Sequence, residues 1–301
     1  MENQTKNQQK LAVVYAILAA AFYAINFPVS KILLKSVGPA TMSALLYLGA
    51  GIGIFFLAIF HKNHKETREK LSKKDLPFAV GMIILDIIAP ILLMLGIKYG
   101  SPANASLLSN FEIVATTIIA LCFFKEKVSK LLWLAIFLVT LSSTLLSFES
   151  VESIKLSFGS LFVLLATTCW GIENNCTRKI SSKNTYEIVI IKGIFSGLGS
   201  ATISYFKSED LPSLEFILYA LLLGFIAYGL SIFLYVRAQN ILGSAKTSAF
   251  YAIAPFVGVL LSFLLFKEPL SATYFTALMI MIAGSVLIVK DTMKQDASQQ
   301  I

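Results

Sequence analysis

Stretches of about 20 apolar residues recur from one end of this chain to the other, with short polar breaks between them. At a 1.5 Å rise per residue, each is long enough to cross a hydrocarbon layer about 30 Å thick as a helix. The pattern leaves no room for a soluble domain. Hydrophobic residues make up 56% of the 301 and charged residues only 14%, outside the range of soluble domains. Ten spans are expected, at 11–34, 41–60, 77–98, 103–124, 131–148, 158–177, 186–206, 214–236, 245–266 and 270–290. The expected fold is therefore an all-α membrane protein of ten transmembrane helices. The first span is too long for a signal-peptide core and lacks a small-residue cleavage site, so it reads as a span.

Lysine and arginine placement orients the spans. Taking the breaks alternately, 18 basic residues fall on one side and 6 on the other, and Lys192 lies inside a span. The richer side carries both termini, which places them in the cytoplasm. The net charge of +8 is thus a topology signal and not a nucleic-acid footprint. The basic run 61–74 reads as a solvated cytoplasmic loop, and His61 and His64 within it have no acid or cysteine at ligand spacing, so no metal is expected. Cys122, Cys169 and Cys176 all sit in apolar stretches, an odd count that argues against a disulfide framework. No glycine loop for phosphates and no nucleophile or paired-cysteine cluster occurs. That argues against ATP drive, a cofactor and a membrane enzyme.

The chain contains one unit twice. Residues 105–126 align without gaps on 247–268 at a spacing of 142, so Lys125-Glu126 falls on Lys267-Glu268. Tyr23-Ala24-Ile25-Asn26 lies over Trp170-Gly171-Ile172-Glu173, Lys31 over Arg178, and Tyr47 over Lys192. The units are expected over 1–150 and 151–301. Five spans is an odd number, so the second unit enters the membrane from the opposite face. Two inverted five-helix repeats follow, an arrangement of secondary transporters with the site near the midplane between halves.

The duplication, the aromatic-Ala/Gly-x-Asn/Glu signature at Tyr23–Asn26 and Trp170–Glu173, and the acids Glu126 and Glu268 resemble the drug/metabolite transporter superfamily, of the ten-helix EamA-like type. Asn110–Glu112, Trp170–Asn175 and Lys192-Gly193 resemble one subgroup of it. Ile113 stands where that family commonly has proline, whereas Pro255 keeps it in the second unit. The resemblance implies a carrier in the bacterial cytoplasmic (inner) membrane for amino acids or related metabolites, often an exporter. It implies a cavity lined by spans 1, 3, 4, 6, 8 and 9, with spans 2 and 7 outside it. Partners would be a small-molecule substrate, the bilayer, and protons as coupling ion. The alternative is a lipid or lipid-linked-sugar translocator, after four-helix relatives.

Buried polar residues supply the candidate site. A carboxylate within hydrocarbon costs several kcal/mol unless paired, wetted or protonated, on the order given for intramembrane charges. Glu112, whose counterpart is Ala254, reads as a proton-coupling group or an anchor for a substrate amine. The competing reading is a structural ion pair with Lys192. Lys192 itself reads as a structural or gating charge paired to Glu173 or Glu112, and Arg178 as part of an inner gate. Asp86, four residues before Pro90, is either a cavity acid or a helix-end acid near the headgroups. Glu173, Asn174 and Asn175 read as a polar network with part in the site, the alternative being the frayed cytoplasmic end of span 6, and Asn26 is the match of Glu173. Asn26 and Asn110 have interhelical glue as their bland alternative. Tyr23, Trp170, Tyr228 and Tyr251 would wall a pocket, although most aromatics here are packing. Gly49/Gly53 and Gly193/Gly197 are small-xxx-small pairs for close helix packing, with a dimer contact the weaker alternative.

Overall fold

Residues 2–60, 69–124, 129–147, 157–180, 183–242, 250–251, 253–267 and 271–299 are described by a computed structural model. They are helical almost throughout. Helix α1 (Glu2–Leu33), α2 (Pro39–Phe60) and α3 (Leu76–Tyr99) each form one unbroken rod. A short helix α4 (Pro102–Leu108) leads into α5 (Phe111–Phe124), followed by α6 (Lys130–Ser147), α7 (Phe158–Ile180) and α8 (Thr185–Phe206). Next, α9 (Leu214–Gly224) runs through a π-helical stretch at Phe225–Leu230 into α10 (Ser231–Leu242). Last come α11 (Ala254–Phe266) and α12 (Ala272–Gln299).

Five of these rods are long and apolar enough to cross a membrane: Gln8–Leu33, Pro39–Phe60, Lys73–Tyr99, Thr185–Phe206 and Leu214–Ala238. Three further apolar helices are shorter, Lys130–Leu145, Ala254–Phe266 and Ala272–Leu287. The expected span 103–124 is not continuous. It breaks at Ser109-Asn110, between α4 and α5. The stretch before α11 is broken likewise, with Phe250-Tyr251 helical and Ile253 in a turn. The Lys125-Glu126 and Glu268 ends, His61 and His64 lie outside the described residues.

Packing alternates between halves of the chain. The largest contacts are α2 on α8, α3 on α7, α6 on α12 and α1 on α10, followed by α5 on α7 and α1 on α11. Glycines let α2 and α8 touch backbone to backbone. A Cβ on Gly193 would lie 2.4 Å from Gly51 N, and Gly49 does the same for α9, where a Cβ would lie 2.1 Å from Leu221 O. A Cβ on Gly53 would meet the Phe225 ring at 2.0 Å and one on Gly197 would meet Leu48 at 2.7 Å. The four glycines expected to serve close packing do so within one chain, and their faces are filled by it.

Polar groups at the helix ends tie distant connections together. Glu209, after α8, accepts from Ala40 N (3.1 Å), Thr41 N (2.8 Å) and Thr41 Oγ1 (2.8 Å), so it caps α2 from another part of the chain. The carboxylate satisfies amides that α2 cannot satisfy itself. Lys31 donates to the carbonyls of Ile97 (2.8 Å), Lys98 (3.0 Å) and Gly100 (2.6 Å), closing the end of α3. On the loop before η-turn Lys73–Asp75, Lys183 donates to Glu69 at 2.8 Å, and this hydrogen bond holds the Glu69 carboxyl below its usual range. Replacing Glu209 by alanine should destabilise the protein by about 1–2 kcal/mol, the usual effect of a lost cap. A thermal-unfolding midpoint equal to wild type would show that the cap contributes nothing.

Candidate functional site

The break in span 4 sets the first part of the site. Asn110 N donates to Leu107 O (3.3 Å), Glu112 N to Ser109 O (3.1 Å) and Ile113 N to Asn110 O (3.1 Å). These are i→i−3 bonds, a tighter winding than the α-helix on either side. The turn buries Asn110, whose Nδ2 finds no hydrogen-bond partner among the described residues. It leaves Glu112 half-buried on the first turn of α5, facing α7.

Helix α7 explains why so many polar residues sit in so short a stretch. Gly171, Asn174 and Asn175 share a face at i, i+3 and i+4. A Cβ on Gly171 would lie 2.7 Å from the Ala115 Cβ, so this glycine lets α5 come close. Asn174 Nδ2 then reaches Glu112 Oε1 at 2.7 Å and Thr116 Oγ1 at 3.3 Å. Asn175 Nδ2 donates to Gly171 O on its own helix at 2.8 Å and to Thr116 O on α5 at 3.4 Å. Glu173 and Thr177 point the other way, and Thr177 Oγ1 bonds Glu173 Oε1.

On that second face lies an ion cluster. Lys192 Nζ on α8 stands 3.0 Å from Asp86 Oδ2 on α3 and 3.0 Å from Glu173 Oε1 on α7. Tyr47 OH on α2 donates to Asp86 Oδ1 at 2.8 Å. Asp86 and Glu173 are 0% and 2% exposed. Asp86 is therefore an interior acid, and the helix-end reading is discarded. Pro90 adds polarity here, since it cannot donate to the Asp86 carbonyl four residues earlier. Of the two expected partners, Lys192 takes Glu173 and not Glu112. Its second partner, Asp86, was not foreseen. Spans 2 and 7, expected outside the site, supply Tyr47 and Lys192 to it.

The opposite wall is aromatic and uncharged. The Tyr228 ring, in the π-helical stretch, packs 5.2 Å from Tyr47 and 5.9 Å from Tyr23. Asn26 Nδ2 donates to Tyr228 OH at 3.4 Å, and Ser30 Oγ donates to Asn26 Oδ1 at 2.8 Å. Tyr251 lies 6.0 Å from Tyr23 and 5.0 Å from Tyr235. Tyr23, Asn26, Tyr228 and Tyr251 are thus brought together. Trp170 makes no ring contact with them among the described contacts, although it is buried in the same apolar cluster as Tyr47 and Tyr228. The Arg178 side chain lies outside the described residues. Sequence reasoning passed over Tyr47, Thr116, Thr177 and Tyr235. Only Tyr47 had a signal, its match to Lys192 in the duplication.

The sequence pattern of the EamA-like transporter family matches this chain twice, over residues 10–148 and 157–290. The chain belongs to the EamA-like transporter family. It is similar to an uncharacterised transporter of Methanothermobacter thermautotrophicus strain Delta H, 26% identical over 292 residues, covering 90% of this chain and 84% of the relative. It is also similar to the uncharacterised transporter YyaM of Bacillus subtilis strain 168, 24% identical over 261 residues, covering 80% and 82%. A solved crystal structure shares the fold with a TM-score of 0.66 at 14% identity, over 92% of this chain and 94% of that one. As an EamA-like protein it is a multi-pass membrane transporter, and the polar seam lies inside its helical bundle.

Proposed function

We propose that this EamA-like transporter is a secondary carrier, an exporter of an amino acid or another small amine-bearing metabolite, working by alternating access. One observation carries the reading. Among the described residues, three carboxylates line one seam: Asp86 and Glu173 stand 3.0 Å from the Lys192 ammonium, and Glu112 is held by the neutral Asn174 amide. Formal charge is then negative by two units if all are ionised, and a low-dielectric seam cannot hold that unaided. A proton or a solute ammonium completes it. The Tyr23, Tyr228 and Tyr251 wall suits the apolar part of such a solute.

The duplication supports the inverted ten-span arrangement, with repeats over 1–150 and 151–301. Exchanging the halves exchanges span 1 with 6, 2 with 7, 3 with 8, 4 with 9 and 5 with 10. Under that exchange α3 on α7 becomes α1 on α10, and α5 on α7 becomes α1 on α11. The contacts α2 on α8 and α6 on α12 map onto themselves. The break at Ser109-Asn110 and the turn at Ile253, whose match is Phe111, are neighbours in the alignment of the two halves. Broken helices beside a midplane site are the usual construction of carriers with inverted repeats. On this reading both termini are cytoplasmic, as the distribution of basic residues suggests, and the membrane is a bacterial inner membrane, as the family resemblance implies.

Glu112, held only by a neutral amide among the described contacts, is assigned the coupling role or the amine contact. A metabolite found by thermal-shift screening should move in liposomes under an imposed pH gradient. Glu112→Gln should slow that flux by about tenfold or more and flatten its pH dependence, as removal of an essential proton acceptor does. Flux and pH profile equal to wild type would remove Glu112 from the mechanism.

A further inference from the structure

We propose that Asp86 and Glu173 form a cation subsite whose resident occupant in the empty carrier is the Lys192 ammonium, and that the ammonium group of a small solute exchanges with it. The inference rests on the carrier reading above and assigns the amine contact to a second place in the seam.

The geometry is that of an occupied site. Lys192 Nζ hydrogen-bonds Glu173 Oε1 at 3.0 Å and stands at ion-pair distance, 3.0 Å, from Asp86 Oδ2, an oxygen that accepts no hydrogen bond among the described residues. Each carboxylate also has a second donor that does not depend on the lysine. Tyr47 OH holds Asp86 Oδ1 at 2.8 Å, and Thr177 Oγ1 holds Glu173. The oxygens are therefore positioned with or without the lysine. No other cation reaches either acid in the described ion pairs.

The lysine is built to leave while its backbone stays. Gly193, the next residue, is in backbone contact with Gly51, which fixes this turn of α8. The exchange requires only a rotation of the four-carbon stem. A lysine ammonium is a point charge with rotatable donors, and it releases a carboxylate more readily than a planar arginine fork would. The matched position in the other repeat holds Tyr47, so only one half carries a cation. The groups facing Asp86 are Tyr47 from α2, Glu173 from α7, Lys192 from α8 and Tyr228 from the π-helical stretch. An exchange of one ammonium for another leaves their net charge constant. Loading thus avoids stranding two carboxylates in hydrocarbon, and the lysine returns when the solute departs.

Lys192→Ala removes n-propylammonium from the side chain, and n-propylammonium chloride is the probe. The full-length variant in detergent should show a saturable rise in thermal midpoint with this salt over sodium chloride at equal ionic strength. The rise should be about 2–4 °C at tenfold excess over the dissociation constant. Wild type, its subsite filled, should show none, and adding Asp86→Asn to Lys192→Ala should remove it. No saturable rise in the monodisperse variant, or an equal rise in wild type or in the double variant, overturns the proposal. The salt is also added during extraction. Monodisperse protein recovered only with n-propylammonium supports the subsite, and aggregate in both salts overturns it. Liposome flux separates the two readings: rescue without any metabolite flux sinks the carrier alone, and flux without rescue sinks the subsite alone.

Discussion

Gly193→Leu yields no stably folded protein. The reason is a contact that has no side chain to yield. A Cβ at this position would stand 2.4 Å from Gly51 N, 2.5 Å from Gly51 Cα and 2.8 Å from Tyr47 O, all backbone atoms of α2. A leucine adds three more carbons in the same direction. Helices α2 and α8 would have to separate, and two hydroxyl pairs along the same interface go with them: Thr41 with Ser204 at 2.6 Å and Ser43 with Ser200 at 3.1 Å. In lipid there is no hydrophobic gain from pressing helices together, so close backbone packing and polar contacts make up the association. A loss of about 3 kcal/mol or more is expected, at the upper end for overpacked cores. The site would suffer as well, because Tyr47 and Lys192 flank this contact. Gly81→Ala is the control, since its nearest obstacle is the Cys176 Sγ at 3.2 Å. Size-exclusion profiles and thermal midpoints of the two variants decide the matter. A monodisperse Gly193→Leu protein melting with wild type would mean that α2 and α8 do not touch there.

Much of the bundle was legible because hydrophobic length and membrane thickness leave few choices. What escaped was the interruption of the rods. Nothing in 105–113 marks a break: there is no glycine or proline, and Ile113 replaces the commoner proline. The turn at Ser109-Asn110 arises in the packed bundle, where Ser109 Oγ bonds Ser106 O at 2.6 Å and Ser106 Oγ bonds Pro255 O at 2.8 Å. Those side chains satisfy backbone groups that the break frees. The π-helical stretch at Phe225–Leu230 is nearly as silent in sequence, since Gly229 is the one weak helix former in it and a glycine inside an apolar span reads as close packing. Helix α12 overran its expected end because the polar tail continues the helix beyond the apolar window. Within the site, intramembrane acids announced Glu112 and Glu173. Tyr47 did not announce itself, because a tyrosine in an apolar span reads as packing until its hydroxyl is seen on Asp86. Spans 2 and 7 were set aside by helix position alone, while the long lysine and tyrosine side chains carry their polar ends into the seam.

Lys192→Met should destabilise the protein by about 3–5 kcal/mol, the size seen when one member of a buried ion cluster is removed. Methionine matches the stem in length and fills its space, so a cavity contributes little. The cost comes from Asp86 and Glu173, which are buried and keep only the Tyr47 and Thr177 hydroxyls. Lower pH should restore stability to this variant, because protonated carboxyls no longer need a cation. The same change should do much less for wild type, where the ammonium is already present. Adding Asp86→Asn and Glu173→Gln to Lys192→Met should also restore it at neutral pH, since neutral isosteres remove the uncompensated charge. Stability and transport then part company. If the cluster only holds α3, α7 and α8 together, the triple variant melts with wild type and also carries solute at the wild-type rate. If the cluster is the cation subsite of a carrier, the triple variant melts with wild type and flux falls by about a hundredfold, as for the loss of a charged contact used during loading. Melting curves and liposome flux on the same preparations distinguish the two. A triple variant that is stable and fully active would leave the ion cluster a structural feature, and the work of binding would rest on Glu112 and the tyrosine wall.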